Sequence, residues 1–121
     1  MIDIRFLREN PEAVKENIRK KFQDAKLPLV DEVVDLDAKR RAAIAEVESL
    51  KAARNKLSKA NGPLYGQLKK CEDEQKKAEL QAQIDRNNAA VKADDDRRAE
   101  LDQSVAQMDG RIREIMYVIP N

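Results

Sequence analysis

Residues 33–68 read VVDLDAKRRAAIAEVESLKAARNKLSKANGPLYGQL, and residues 80–115 read LQAQIDRNNAAVKADDDRRAELDQSVAQMDGRIREI. In the first, Val33, Leu36, Arg40, Ile44, Val47, Leu50, Arg54, Leu57, Asn61, Leu64 and Leu68 advance by alternating three- and four-residue steps. In the second, Leu80, Ile84, Asn87, Val91, Asp94, Arg98, Leu101, Val105, Met108, Ile112 and Ile115 do the same. A spacing of about 3.5 keeps one stripe of a helix against a partner helix. The two stripes match when the chain folds back so that facing residue numbers sum to about 148, a register that follows from this pairing pattern. Leu68 then meets Leu80, Leu64 meets Ile84, Leu57 meets Val91 and Ile44 meets Val105. The polar exceptions pair as well: Asn61 faces Asn87, suited to an amide exchange, and Arg54 faces Asp94, suited to an ion pair. Leu50 faces Arg98, whose stem covers a leucine while its head reaches water. The predicted fold is all-α: a long antiparallel two-helix coiled-coil hairpin with a short N-terminal helix packed at its base.

Working outward, Asn10-Pro11-Glu12 reads as a helix start, with an asparagine cap, a proline in the first turn and an acid near the helix dipole. Val14, Ile18 and Phe22 continue it as a short amphipathic helix. Asp24 to Pro28 breaks that helix, so residues 1–30 form a base helix and connector. Its apolar face, with Ile2, Ile4, Phe6 and Leu7, is expected to close a small core against Val33, Leu36, Ile112 and Ile115. The outgoing helix is expected over 31–72 with Asp31 as cap, and the returning helix over 73–118 with Asp73 as cap. About forty residues at 1.5 Å each span on the order of 60 Å. Asn61-Gly62-Pro63 either kinks the outgoing helix or ends it, since proline removes a backbone donor. The heptad phase survives on both sides and favours a kink, with the turn in Cys71 to Gln75.

The 121 residues leave room for one domain, while 3% aromatic and 39% charged residues suit a two-helix seam better than a thick core. Nothing approaches the ~20 apolar residues of a membrane span. Met1 to Arg8 mixes acids and bases where a secretory signal would be apolar, so a cytoplasmic location is expected. The single Cys71 has no partner for an internal disulfide, and the absence of histidine argues against a multi-ligand zinc site. No catalytic constellation is present, and Asp94-Asp95-Asp96 points in three directions on a helix. No catalytic, cofactor-binding or metal-binding residues are assigned.

Charge is less even than the net +1 suggests. Between Glu48 and Glu72 there is no acid, while Lys51, Arg54, Lys56, Lys59, Lys69 and Lys70 lie there, and Lys76 and Lys77 continue the run. From Ala78 to Asn121 there are nine acids and six bases. A basic flank of this kind suits an elongated polyanion whose counterions it displaces; its alternative is a solvated coiled-coil face. Without aromatic interleaving, recognition would rest on shape and backbone charge, as for structured RNA.

Four blocks in order, Met1-Ile2-Asp3-Ile4-Arg5-Phe6-Leu7-Arg8-Glu9-Asn10-Pro11, Val34-Asp35-Leu36-Asp37 leading to Arg40-Arg41, Arg54-Asn55-Lys56-Leu57-Ser58-Lys59, and Ile119-Pro120-Asn121, resemble the N-terminal domain of bacterial-type seryl-tRNA synthetases. The chain departs from that pattern between Ala60 and Lys77, where Asn61-Gly62-Pro63-Leu64-Tyr65-Gly66 is bulkier and the arm longer. The resemblance implies an arm that holds the long variable arm and elbow of serine tRNA. It also implies a class II catalytic domain beyond this chain, using ATP and magnesium in a homodimeric serine–tRNA ligase. The expected tRNA contacts are Lys51, Arg54, Asn55, Lys59, Lys69 and Lys70, with Lys56, Lys76 and Lys77 as additions. Arg54 has two roles open to it, structural at the seam or RNA-contacting. The competing class is a coiled-coil adaptor or prefoldin-like hairpin without an RNA role. It predicts self-association, whereas the tRNA arm predicts a monomeric fragment.

Overall fold

The computed structural model describes residues 1–121. In order, α1 spans Ile4–Glu9, α2 Pro11–Lys20, a 3-10 turn Asp24–Lys26, α3 Leu27–Lys70 and α4 Glu74–Val118. The class is all-α, with α3 and α4 as antiparallel partners and short N-terminal helices beside them. Two compact units result, Met1–Ile44 with Asp102–Asn121, and Ala45–Leu101.

In the first unit, α1 starts because the Asp3 side chain accepts from the Arg5 N–H at 2.9 Å, satisfying a free donor of the first turn. At six residues this helix is too short for hydrophobic periodicity to predict. Asn10 is not a side-chain cap for α2 as expected. Its backbone N–H and its side-chain amide both donate to the Phe6 carbonyl, at 2.8 and 3.3 Å, because α1 ends there and leaves acceptors unpaired. Pro11 and Glu12 open α2 as expected, and Val14 and Ile18 are buried.

Phe22 is not core: it is 94% exposed with φ 58°. The reason is how α2 ends. The Phe22 N–H donates to the Arg19 carbonyl at 3.0 Å and the Gln23 N–H to the Ile18 carbonyl at 3.1 Å. This is a Schellman motif with a phenylalanine at the left-handed position that usually holds glycine. The four-residue step from Ile18 therefore lands outside the helix.

The outgoing helix begins at Leu27, earlier than the expected Asp31, because Pro28 is tolerated in a first turn. Asp31 bonds the Lys15 ammonium at 2.9 Å instead of capping, and that hydrogen bond raises the lysine's pKa above its ordinary value. Leu7, Val14, Ile18, Val30, Val33, Ile112, Ile115, Met116 and Ile119 make one buried cluster, with Ile2, Ile4 and Leu36 packed on it. Phe6, expected inside, is 45% exposed at its margin. Asp37 is only 2% exposed, and its charge is met by Arg8 at 3.1 Å and Arg41 at 3.2 Å; such a buried carboxylate persists only when paired. Ile44 is 37% exposed while Ala43 is buried, as expected of an α-helix that drifts by about 20° per heptad from a strict seven-residue repeat.

In the second unit, Val47, Ile84 and Leu101 are buried, and Leu50, Leu57, Leu64, Leu68, Leu80 and Val91 are half-buried. The expected amide layer is present: Asn87 donates to Asn61 at 2.8 Å. Asn61 does not return the bond but donates to Asn88 at 2.9 Å, and Gln83 donates to Asn87 at 3.0 Å. The helix runs uninterrupted through Gly62, Pro63 and Gly66 to Lys70. Interior glycines cost about 1 kcal/mol each and a proline about 3, so packing of the leucines and the amide layer holds this stretch helical. The turn is Cys71–Asp73, and Asp73 caps α4 by accepting from the Gln75 N–H at 2.9 Å.

Chemical denaturation is expected to show Ile18→Ala losing about 2–4 kcal/mol through the cavity it leaves. Phe22→Gly, by relieving the left-handed backbone, should gain up to about 1 kcal/mol.

Candidate nucleic-acid interface

Seven of the nine basic and amide candidates in the second unit are side chains exposed on α3 or at the start of α4. Lys51, Asn55, Lys56, Lys59, Lys69, Lys70 and Lys76 are exposed; Arg54 and Lys77 are half-buried. Of the lysines, only Lys51 and Lys77 meet a carboxylate, Glu48 at 3.6 Å and Glu74 at 3.4 Å, each a neighbour on its own helix. Exposed pairs of that kind contribute little, about 0–1 kcal/mol, and leave the lysines available to another anion.

Arg54 differs. Its guanidinium bonds Asp95 at 3.0 Å, not Asp94 as the register of facing positions suggested. A long arginine reaches one position further round the opposite helix, and Asp95 also accepts from Arg98 at 3.3 Å. Arg98 thereby has a charged partner of its own rather than only a leucine to cover. Two cations sharing one carboxylate make Arg54 part of the scaffold in this conformation.

Most acids of α4 in this unit have a side-chain partner, Glu79 and Asp94 being the exceptions. Arg97 bonds Glu46 at 3.0 Å and Glu100 at 3.4 Å, and the Glu46 hydrogen bond raises its pKa above the ordinary arginine value. Lys92 holds Asp96 at 3.1 Å, and Gln81 donates to Asp85 at 2.9 Å. Charge on α4 is thus largely compensated on or near α4, while the lysines of α3 beyond Arg54 are not. Glu46 to Arg97 and Asn61 to Asn88 are contacts the sequence reading missed. Both lie one step off the seam, where facing-position arithmetic does not reach.

The lysine separations suit a linear anion. Lys51 and Lys70 lie about 28 Å apart along the axis at 1.5 Å per residue. No three His, Cys, Asp or Glu side chains converge as a metal site.

The sequence profile of the seryl-tRNA synthetase N-terminal domain matches residues 1–121. The chain belongs to that family. The serine–tRNA ligase of Chlorobaculum parvum is 34% identical over 123 residues, covering 100% of this chain and 26% of the relative. That of Herpetosiphon aurantiacus is 40% identical over 121 residues, again 100% of this chain and 25% of the relative. A third, from Dictyoglomus thermophilum, is 49% identical over 67 residues, 55% of this chain. The chain therefore spans about a quarter of the length of the curated relatives it matches. No solved structure matches.

In a double-mutant cycle, Arg54→Ala with Asp95→Ala is expected to show coupling of about 0.5 kcal/mol, and Arg54→Ala with Asp94→Ala close to none. Coupling to Asp94 in its place would return the ion pair to the simple register.

Proposed function

We propose that this chain is the tRNA-binding arm of a serine–tRNA ligase, and that the lysine face of α3 holds the long variable arm and elbow of serine tRNA. The supporting observation is the acid-free face of α3 between Glu48 and Glu72, carried on a seam already satisfied within the chain. Lysines distributed along a helix recognise phosphates by position and charge without reading bases, which suits a nucleic acid chosen by shape. Lys51, Asn55, Lys59, Lys69 and Lys70 are the contacts, with Lys56, Lys76 and Lys77 adding to the field. Arg54 acts first as scaffold through Asp95.

Residues 1–121 constitute this domain, and the aminoacylation site belongs to a class II catalytic domain of the longer protein. ATP and magnesium would be used by that catalytic domain. The arm's part in catalysis is to position tRNA for ATP-dependent attachment of serine by a homodimeric, cytoplasmic enzyme. No helix of the chain is long and apolar enough to cross a membrane. The adaptor alternative needs the seam to bury itself against another chain. The intramolecular amide layer and the half-buried leucines already occupy it, which favours a monomeric fragment.

Binding to a serine tRNA should fall when its variable arm is deleted. Neutralising about four to six phosphates gives a log–log salt slope on the order of −3 to −5. A slope near zero, equal binding of both tRNAs, or a dimer that forms with rising concentration would contradict the proposal.

A further inference from the structure

The first residues after α4 are held by donors from the elements beside them. The Lys26 ammonium donates to the Val118 carbonyl at 2.8 Å, serving one of the last-turn acceptors that a helix leaves open. Ile119 is 4% exposed and belongs to the buried cluster. The Asn17 side-chain amide of α2 then donates to the Pro120 carbonyl at 3.4 Å. Pro120 cannot continue the helix, and a residue ahead of proline is driven to extended backbone. The chain therefore leaves α4 against α2 in a set direction.

That direction leads to an open groove of about 620 Å³. Met1, Ile2, Phe6 and Ala13 give it apolar surface, and Asn17 and Asn121 are part of the same lining. Met1 is 68% exposed and Phe6 45%, so no residue of 1–121 closes over them. Concave, mainly apolar surface with a few polar groups is the usual form of a binding groove.

What covers it follows from length and tether. The matched profile is that of an N-terminal domain, and the chain spans about a quarter of the serine–tRNA ligases it resembles. Resting on the reading above that a catalytic domain follows, we infer that the segment joining Asn121 to that domain lies extended in this groove, with apolar side chains over Met1 and Phe6. Because Asn121 already lines the groove, the segment meets it at an effective concentration on the order of millimolar, which a second copy would have to exceed. Extended backbone sends alternate side chains to one side, so every second residue of the segment faces the groove. The segment thereby fastens α1 and α2 to the domain beyond and gives the base of the arm a fixed seat.

The test uses the full-length ligase with p-benzoylphenylalanine in place of Phe6, irradiated, digested and mapped by mass spectrometry. Cross-links within one subunit to the residues directly after Asn121 are expected. Ala13→Glu puts a charge where the apolar side chains would sit, and should abolish those cross-links. In the 121-residue chain the same change should not lower the melting temperature, because Ala13 is exposed and an acid suits the first turn of α2. Cross-links between subunits would place a second copy in the groove; cross-links only elsewhere in the chain, or none, would leave the segment out of it. Any of these results overturns the inference, as does an unchanged pattern in Ala13→Glu. Charging of serine tRNA by the wild-type ligase tests the tRNA-arm reading separately: charging without the expected cross-links overturns the inference alone, and absence of charging overturns that reading whatever the cross-links show.

Discussion

A two-helix seam has little apolar mass, so the few polar groups it buries must be satisfied in one register or not at all. Asn61 and Asn87 set that condition here. They are 6% and 7% exposed, and the bonds from Asn87 to Asn61 and from Asn61 to Asn88 leave neither amide unpaired. A slip of either helix would strand buried donors, at a cost of about 1–3 kcal/mol for each unsatisfied group. Sliding is thereby opposed where aliphatic side chains alone would tolerate it, and the same layer steadies α3 beside Gly62 and Pro63. The lysines of α3 keep their outward placement because this register holds.

The seam was legible because it rests on periodicity and on pairwise complementarity between distant stretches, both of which survive in a bare sequence. Continuity of α3 through Pro63, the turn after Lys70 and the Asp73 cap followed from the same heptad phase. What escaped depends on termini and on reach. Helix α1 is six residues long and carried by one aspartate cap, too short for periodicity to reveal. Phe22 continued an apolar pattern that the chain abandons in a left-handed turn, and Asn10 serves the helix behind it instead of the helix ahead. Leu27 rather than Asp31 starts α3 because Pro28 ends nothing when it occupies a first turn.

The candidate interface divides in the same way. Its basic character and its location on α3 were visible as a run without acids. Its membership was not, because whether a cation is free depends on where the opposing carboxylates point. Asp95 withdraws Arg54 from the exposed set, and Arg97 and Lys92 occupy Glu46 and Asp96. The lysines that remain owe their availability to these commitments as much as to their own positions.

The most direct test of the account is lysine-reactivity footprinting by mass spectrometry, with and without serine tRNA. The account predicts protection of Lys56, Lys59, Lys69 and Lys70, with no change at Lys39, which lies in the other unit and pairs with Asp35 at 2.9 Å. Protection spread evenly over Lys39 and the lysines of α3, or absent from α3, would contradict it.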